Sequence, residues 1–315
     1  MIAAQCYDFA SLFLVGSGAV STLIEMQQLV SIMGDGYTGR RLAERLLSSG
    51  ACAYVRSYSR RLRETSAVEM GVDTESLQLD LDADVTPFDV LGHLVYYTVP
   101  PARETEDRRL ARFLAAMSGA PRRLIYLSTT GVYGDQRGAT VDENTVPAPL
   151  SERASRRLAS ENTLRSWADE RCISWCILRI PGIYGPGRLQ LDRLRQGSPA
   201  IDPSESTSGN RIHVTDLVSA CVAAGLSAHA DRRIYNVTDG SQDSHTQFLQ
   251  RVARIACLPL PPLVSREEAE RTFSPLSWSF LRESRRVDNS RMLAELRVVL
   301  RYGDLDAGIR ASLND

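Results

Sequence analysis

The residues best suited to bind a ligand form a short glycine-rich segment. Residues 34–39 are Gly-Asp-Gly-Tyr-Thr-Gly, and they follow a short apolar run and open a helical pattern. In such a loop the first glycine allows a tight turn, the second lets the backbone approach a pyrophosphate, and the third lets the helix pack on the strand. The helix amino terminus adds unpaired N–H donors. The segment predicts dinucleotide binding, with these expected contacts: Gly34, Gly36, Tyr37, Thr38 and Gly39.

The type of dinucleotide depends on the end of the second strand, where an NAD site usually offers a carboxylate to the ribose. This sequence has Ser59, Arg60 and Arg61 there, and no acid before Glu64. Because arginine and serine suit a 2′-phosphate, we predict NADP, with NAD as the alternative. The arginines are equally compatible with a solvated helix start. Asp80, just after the third predicted strand, is expected at the adenine end of the cofactor, although an exposed turn would use the same residue type.

The composition excludes several kinds of chemistry. The 315-residue chain has no lysine, so no Schiff base and no lysine-assisted proton transfer can occur. The six cysteines form no C-x-x-C pair and the four histidines lack ligand spacing, so we predict no metal site, no disulfide framework and a cytoplasmic location. A net charge of -1 gives no reason to expect nucleic acid or a membrane as partner. We expect a small-molecule substrate and leave the oligomeric state open.

Apolar runs of strand length alternate with amphipathic segments of helix length from Leu29 onward. This alternation is typical of βαβ units and a parallel sheet. The expected strands are 29–33, 53–57, 77–79, 93–98, 124–128, 174–180 and 234–237. The expected helices are 38–49, 107–117, 151–169, 214–225, 245–257 and 289–296.

These elements predict an α/β fold, a Rossmann-type doubly wound parallel sheet with a smaller C-terminal substrate lobe. We place the dinucleotide-binding domain at 26–185 and the substrate lobe at 186–315, with some return to the main sheet. Residues 1–25 are expected to be a peripheral extension. Their apolar stretch, 9–24, has no basic residue before Arg40, which argues against a secretory signal.

Three further segments, taken with the glycine loop, carry a resemblance to a known family. Residues 127–135 are Leu-Ser-Thr-Thr-Gly-Val-Tyr-Gly-Asp, residues 178–188 are Leu-Arg-Ile-Pro-Gly-Ile-Tyr-Gly-Pro-Gly-Arg, and residues 211–217 are Arg-Ile-His-Val-Thr-Asp-Leu. From Met26 onward the chain resembles the extended short-chain dehydrogenase/reductase superfamily, the NAD-dependent epimerase/dehydratase group. The resemblance implies a Rossmann fold and a nicotinamide cofactor.

The resemblance also implies a proton-transfer machinery that this chain only partly retains. Active members use a hydroxyl residue, which is Thr129 here, and a tyrosine with a lysine four residues later. Those two positions hold Arg153 and Arg157. Arginine stays protonated near neutral pH, so Arg153 cannot replace a phenol. Arg157 is expected to hydrogen-bond a ribose hydroxyl of the cofactor, and the chain looks like an atypical branch that lacks the tyrosine-lysine pair.

Another group would then have to carry the proton, and we rank Tyr133 first, then Tyr184, then His213. By the resemblance, these residues lie in segments that border the nicotinamide or the substrate. The alternative is structural, with Tyr133 packed beneath its loop and His213 capping the helix that starts near Val214. We expect an NAD(P)-binding oxidoreductase or epimerase-like protein acting on a small polar substrate, with a nucleotide sugar as one candidate. A non-catalytic NADP-binding sensor or scaffold is the alternative.

Overall fold

A computed structural model describes residues 28–52, 54–61, 73–102 and 107–314. Its strands are β1 Leu29–Met33, β2 Tyr54–Ser59, β3 Asp73–Gln78, β4 Phe88–Asp89, β5 Leu94–Tyr97, β6 Met117–Ser118, β7 Arg123–Thr129, β8 Thr140–Val141, β9 Trp175–Ile180, β10 Gly182–Tyr184, β11 Ala200–Ile201, β12 Arg211–His213, β13 Arg233–Asn236, β14 Leu263–Val264 and β15 Arg286–Val287. Its helices are α1 Tyr37–Ser48, α2 Arg108–Ala116, α3 Glu152–Glu170, α4 Leu191–Arg195, α5 Val214–Leu226, α6 His245–Ile255, α7 Arg266–Thr272, α8 Pro275–Leu281, α9 Ser290–Leu296 and α10 Leu305–Asn314. The predicted extension 1–25 and Glu64 lie outside the described residues.

Seven of these strands form one sheet, in the order β13-β9-β7-β5-β1-β2-β3. Every pairing within it is parallel. The chain proceeds from β1 outward to β3, then returns to β5 and proceeds outward in the opposite direction. Strand order therefore reverses between β1 and β5, which is where ligands bind in open α/β sheets. The predicted Rossmann-type sheet is confirmed.

The carboxyl ends of β1 and β5 are tied together at this reversal. Thr98, which follows β5, donates its hydroxyl to the carbonyl oxygens of Met33 at 2.9 Å and Gly34 at 3.0 Å. This contact fixes the first glycine of the loop against the neighbouring strand. The crevice between the two strand ends is thus a rigid feature of the fold.

Helices cover both faces of the sheet. On one face, α1 and α5 bury apolar side chains such as Leu42, Leu46 and Leu217 against the sheet. On the other face, α2 and α3 do the same with Phe113 and Leu164. The central strands are therefore buried on both sides and are mostly apolar, as expected for a parallel sheet, with Ser31, Ser128 and Arg179 as buried polar exceptions.

The third strand differs from its prediction. The sequence pattern indicated only residues 77–79, whereas β3 begins at Asp73. Its polar sequence, Asp-Thr-Glu-Ser-Leu-Gln, gives little strand signal because β3 is the edge of the sheet. Pairing with β2 holds it, together with the hydrogen bonds that Tyr54 (2.6 Å) and Arg56 (3.0 Å) donate to Glu75.

A smaller apolar cluster lies in the C-terminal part, where Phe248 and Leu249 of α6 pack with Ile309 of α10. The C-terminal part also returns to the main sheet, through β13 and α5. The domain boundary at 185/186 stays a prediction. No helix among the described residues is both long enough and apolar enough to cross a membrane.

Candidate functional site

The first cavity occupies the crevice where strand order reverses and has a volume of about 270 Å³. Its walls come from the ends of β1, β2 and β5 and from the turn after β3: Met33, Gly34, Asp35, Gly36, Tyr58, Ser59, Arg60, Leu79, Leu81, Asp82, Thr98, Val99, Pro100 and Arg109. The cavity therefore combines backbone from the glycine loop with charged side chains at the opposite wall.

The glycine loop has the geometry that a pyrophosphate needs. A Cβ atom added at Gly36 would meet no atom within 4 Å, whereas one at Gly39 would lie 2.0 Å from the carbonyl oxygen of Gly34. Gly39 therefore permits the close helix–strand contact, and Gly36 leaves space open to the cavity. Helix α1 has no acidic residue in its first turn and no side-chain cap. Its amino-terminal N–H groups can therefore serve an anion.

The other two loop residues are placed differently from the sequence prediction. Neither Tyr37 nor Thr38 lines the cavity. The Tyr37 hydroxyl donates to the carbonyl oxygen of Pro186 at 3.0 Å, and the guanidinium groups of Arg41 and Arg188 lie over its ring. Tyr37 thus connects the glycine loop to the segment after β10.

At the end of β2, Ser59 and Arg60 line the cavity and Arg61 does not. The Arg60 side chain is 71% exposed, and its Nη1 lies 3.8 Å from the Asp82 carboxylate. Among the described residues this is the one ion pair of Arg60, and so weak a contact of an exposed arginine allows it to reorient toward a ligand. Arg61, an exposed residue, accepts a hydrogen bond at its carbonyl from the Ser59 hydroxyl.

Of the two aspartates in the turn after β3, Asp82 lines this cavity and Asp80 does not, and Asp35 of the glycine loop is the other acidic wall residue among the described residues. Asp80 is exposed, and its carboxylate accepts from the Asp82 N–H at 2.9 Å, so it holds the turn. Asp82 accepts two hydrogen bonds from Arg109, both at 2.6 Å, and this interaction lowers the pKa of its carboxyl group. Sequence reasoning missed this pair because Arg109 lies on α2, far along the chain from Asp82.

The second cavity begins at the end of β7 and has a volume of about 390 Å³. Loops and helix ends spread over residues 129–285 line it: Thr129, Thr130, Gly131, Ser151, Arg153, Pro181, Gly182, Gln190, Arg193, Thr207, Ser208, Gly209, Asn210, His245, Ser277, Ser279, Phe280, Leu281, Glu283 and Arg285. Thr129 thus lies in the wall of a cavity, and its Oγ1 accepts from the Gly131 N–H at 3.1 Å.

Helix α3 lies along both cavities. The Nη1 of Arg157 donates to the Tyr126 hydroxyl at 3.0 Å and to the carbonyl oxygen of Val99, a wall residue of the first cavity, at 3.4 Å. Arg153, one turn earlier on the same helix face, lines the second cavity. The two cavities are therefore neighbours at the carboxyl end of the sheet.

A buried ion pair anchors α3 behind these arginines. Glu161 accepts from Arg179 of β9 at 2.8 Å, and also from the Ser128 hydroxyl. Both charged side chains are almost fully buried. Because Ser128 precedes Thr129, this network fixes the end of β7 relative to the helix that carries Arg153.

The three ranked proton donors do not line either cavity, which corrects their predicted placement. Tyr133 is fully buried, and its hydroxyl donates to Asn236 Oδ1 at 2.8 Å. Burial raises the pKa of the Tyr133 hydroxyl. Tyr184 is also buried and packs edge-on against His213. Its pKa is likewise raised by burial.

His213 has the capping role that was the alternative expectation. It is the N-cap residue of α5, where its Nδ1 accepts from the Thr215 N–H at 3.1 Å. Its Nε2 lies 3.1 Å from the Ser312 hydroxyl. Both ring nitrogens are thus engaged within the protein.

His245 is the functional candidate that sequence reasoning missed. It begins α6 directly after the capping residue Ser244, and it lines the second cavity. Burial lowers the pKa of its imidazole to about 4, with the Arg193 and Arg211 charges as further causes. His245 is therefore neutral near pH 7. No local motif marks it, because its role depends on the fold bringing the start of α6 to the same cavity as Thr129.

Comparisons with known proteins agree with this architecture. The family model described as "NAD dependent epimerase/dehydratase family" matches residues 31–238. Protein YeeZ of Escherichia coli strain K12 is 27% identical over 253 residues, which cover 79% of this chain and 84% of YeeZ.

Two solved structures share the fold over most of the chain. A functionally unknown conserved protein from Silicibacter pomeroyi DSS superposes with a TM-score of 0.72 at 29% identity, covering 91% of this chain and 99% of the other. UDP-glucuronic acid 4-epimerase from Bacillus cereus, in complex with UDP-glucuronic acid and NAD, superposes with a TM-score of 0.70 at 18% identity, covering 91% and 98%. The family model spans more than half of the sequence, so the chain belongs to the NAD-dependent epimerase/dehydratase family.

Proposed function

We propose that this protein is a nicotinamide-dinucleotide-dependent oxidoreductase or epimerase-like enzyme acting on a small polar substrate, with nucleotide sugars as the candidate class. The observation that carries the proposal is the pair of neighbouring cavities along α3. One contains the glycine loop, and the other begins at Thr129. The solved epimerase from Bacillus cereus holds UDP-glucuronic acid and NAD, which supports the nucleotide-sugar class.

The residues of the first cavity fit a dinucleotide. Open space at Gly36 and the uncapped amino terminus of α1 suit the pyrophosphate. Ser59 and Arg60 suit a ribose 2′-phosphate, so we propose NADP as the preferred cofactor, with NAD as the alternative. When bound, such a cofactor supplies the hydride acceptor or donor.

The residues of the second cavity would then hold the substrate and handle its proton. Thr129 can donate a hydrogen bond to the oxygen of the reacting carbon. Arg153 cannot transfer a proton near neutral pH but keeps a positive charge beside that carbon. Among the described residues that line this cavity, His245 and Glu283 have side chains of the types that commonly act as general acids or bases.

Of these two groups, His245 is the better proton carrier. Glu283 accepts a hydrogen bond from Arg285 at 2.6 Å, so its side chain is already engaged within the protein. The neutral imidazole of His245 can accept the proton that leaves a substrate hydroxyl during oxidation and return it during reduction. We assign no proton transfer to Tyr133, Tyr184 or His213, since none of them reaches this cavity.

A non-catalytic NADP sensor is the second candidate, favoured by the arginines at positions 153 and 157. Fluorescence titration with NADPH and NADH, followed by a screen of nucleotide sugars for hydride transfer, separates the two functions. Binding with turnover supports the enzyme. Tight NADPH binding without turnover on any substrate supports the sensor, and the absence of binding by either nucleotide would contradict both.

A further inference from the structure

The wall of the second cavity has three arginines and, among its described residues, one carboxylate, Glu283, which pairs with Arg285 and also attracts Arg153 electrostatically. Arg153 and Arg193 both line the cavity, both are partly buried, and neither forms an ion pair with any carboxylate among the described residues. The third arginine of the cavity, Arg285, is neutralised by Glu283 at 2.6 Å. His245 is neutral, as argued above. The described part of the wall therefore has an excess of two positive charges.

The guanidinium group of Arg153 stacks on an aromatic ring and finds no hydrogen-bond acceptor among the described residues. Its guanidinium lies over the ring of Phe280, with its carbon 3.7 Å from the ring centroid. This stacking covers one flat face and leaves the N–H edge uncommitted, and no described residue accepts a hydrogen bond from it. Burial lowers the pKa of Arg153, which reflects the cost of keeping the charge there.

Arg193 lies on α4, in a different wall of the cavity. Its Nη2 donates to the carbonyl oxygen of Pro199 at 2.9 Å, which leaves most of its donors free. Burial also lowers the pKa of this guanidinium. A partly buried guanidinium without a carboxylate is costly unless a ligand supplies the missing charge.

We propose that the second cavity binds a ligand bearing a carboxylate or a phosphate, held by the guanidinium groups of Arg153 and Arg193. This inference rests on the proposed function and assigns the residues of this chain that would hold an acidic group of its substrate. Arg153 lies with Thr129 in the wall, so one acidic group would sit near the reacting carbon. The guanidinium that replaces the tyrosine thus acquires a role as an anion-binding group.

Three sugars that differ in one group provide the test: glucose, glucose 1-phosphate and glucuronate. Calorimetric titration of each, with and without saturating NADPH, compares the neutral, phosphate and carboxylate forms at fixed ionic strength. We expect at least one acidic sugar to bind about tenfold or more tightly than glucose, because each charge-assisted hydrogen bond contributes at least that factor. The tighter of the two acidic sugars identifies the group that the site prefers.

Substitutions of single arginines test which side chains bind the acidic sugar. Arg153→Gln and Arg193→Gln should each weaken the acidic sugar by about tenfold or more and leave glucose unchanged, whereas Arg153→Lys should lose less because it keeps the charge. Arg156→Gln and Arg195→Gln are matched controls, since these arginines pair with Glu152 and Asp192 on the same two helices outside the cavity. Circular dichroism confirms that each variant folds.

The outcomes separate this inference from the proposed function. Equal affinities for all three sugars, or equal losses in the control variants, would overturn the anion site even if NADPH binds normally. A preference for acidic sugars that depends on Arg153 and Arg193 supports the anion site. If that preference is found in protein that binds neither NADPH nor NADH, the anion site stands and the proposed function fails.

Discussion

The two cavities differ in the groups that form their walls. The first depends on backbone from one short segment, with Gly34 and Gly36 at the end of β1 and the amino terminus of α1 beside them. The second depends on side chains from many separate segments, including Thr129 on β7, Arg153 on α3 and His245 on α6. A site made of backbone tolerates change in most side chains around it, whereas a site made of side chains changes its chemistry with each substitution. This difference explains how a chain can keep the glycine loop while the residues that line the second cavity change.

The largest effect is expected in the second cavity. His245→Asn should lower the rate of substrate oxidation by about 10²- to 10⁴-fold with NADPH affinity unchanged, because it removes the proposed proton acceptor. His229→Asn is the control, since His229 is exposed and lies outside both cavities. Full activity in the His245→Asn protein would remove His245 from the mechanism.

The pH dependence of the same reaction sharpens this prediction. The pKa of His245 is lowered to about 4, so the imidazole is neutral and able to accept a proton at every higher pH. The value of kcat/KM for oxidation should therefore hold steady from neutral pH downward and fall only as pH approaches 4. A fall near the ordinary histidine pKa, about 6.5, would contradict the burial-lowered value.

The next effect tests the backbone-built cavity. Gly36→Asp should weaken NADPH binding by about tenfold or more, because the added carboxylate would occupy open space that the pyrophosphate needs and would repel it. Thermal unfolding should change little. Gly39→Ala, in contrast, should lower the thermal unfolding temperature, because its Cβ would clash with the carbonyl oxygen of Gly34. Equal NADPH affinity in the Gly36→Asp protein would remove the glycine loop from the cofactor site.

A smaller effect is expected at the end of β2. Arg60→Ser should weaken NADPH binding by about three- to tenfold and leave NADH binding nearly unchanged, because the lost contact is to the 2′-phosphate, which NADH lacks. The effect is modest because the Arg60 side chain is exposed. Arg61→Ser is the matched control, because Arg61 does not line the cavity. A wild-type preference for NADH would overturn the assignment of NADP.

The smallest effect is expected at Tyr133. Tyr133→Phe should cost about 1 kcal/mol in the free energy of unfolding, because Asn236 loses a buried hydrogen bond. Activity should stay within about threefold of wild type, far from the loss that removal of a general acid causes. A large loss of rate with an intact fold would show that the buried hydroxyl takes part in catalysis after all.

Much of the fold could be predicted from the sequence because its signals are local. The alternation of strand and helix patterns predicted six strands of the main sheet, and the glycine loop predicted the ligand crevice, whereas the strand expected at 234–237 in the smaller lobe is β13 of the main sheet. The polar edge strand β3 was underestimated, since its stability comes from pairing with β2 rather than from its own composition. The residues of the candidate site were harder to predict. Asp80 and Asp82 are alike in sequence, and only the contact with Arg109 distinguishes them.

The sequence by itself determined the βαβ order, the conformational freedom of the glycine loop and the exclusion of lysine chemistry, since each depends on residues close in the chain or on composition. Only the tertiary structure decided which polar side chains can reach a ligand in a cavity. Tyr133 and His213 look like reactive groups in the sequence, but distant partners, Asn236 and Ser312, engage them. His245 has no motif, yet the fold brings it to a cavity wall with Thr129. The physical reason is that reactivity depends on burial and on hydrogen-bond partners, which contacts between distant segments of the chain create.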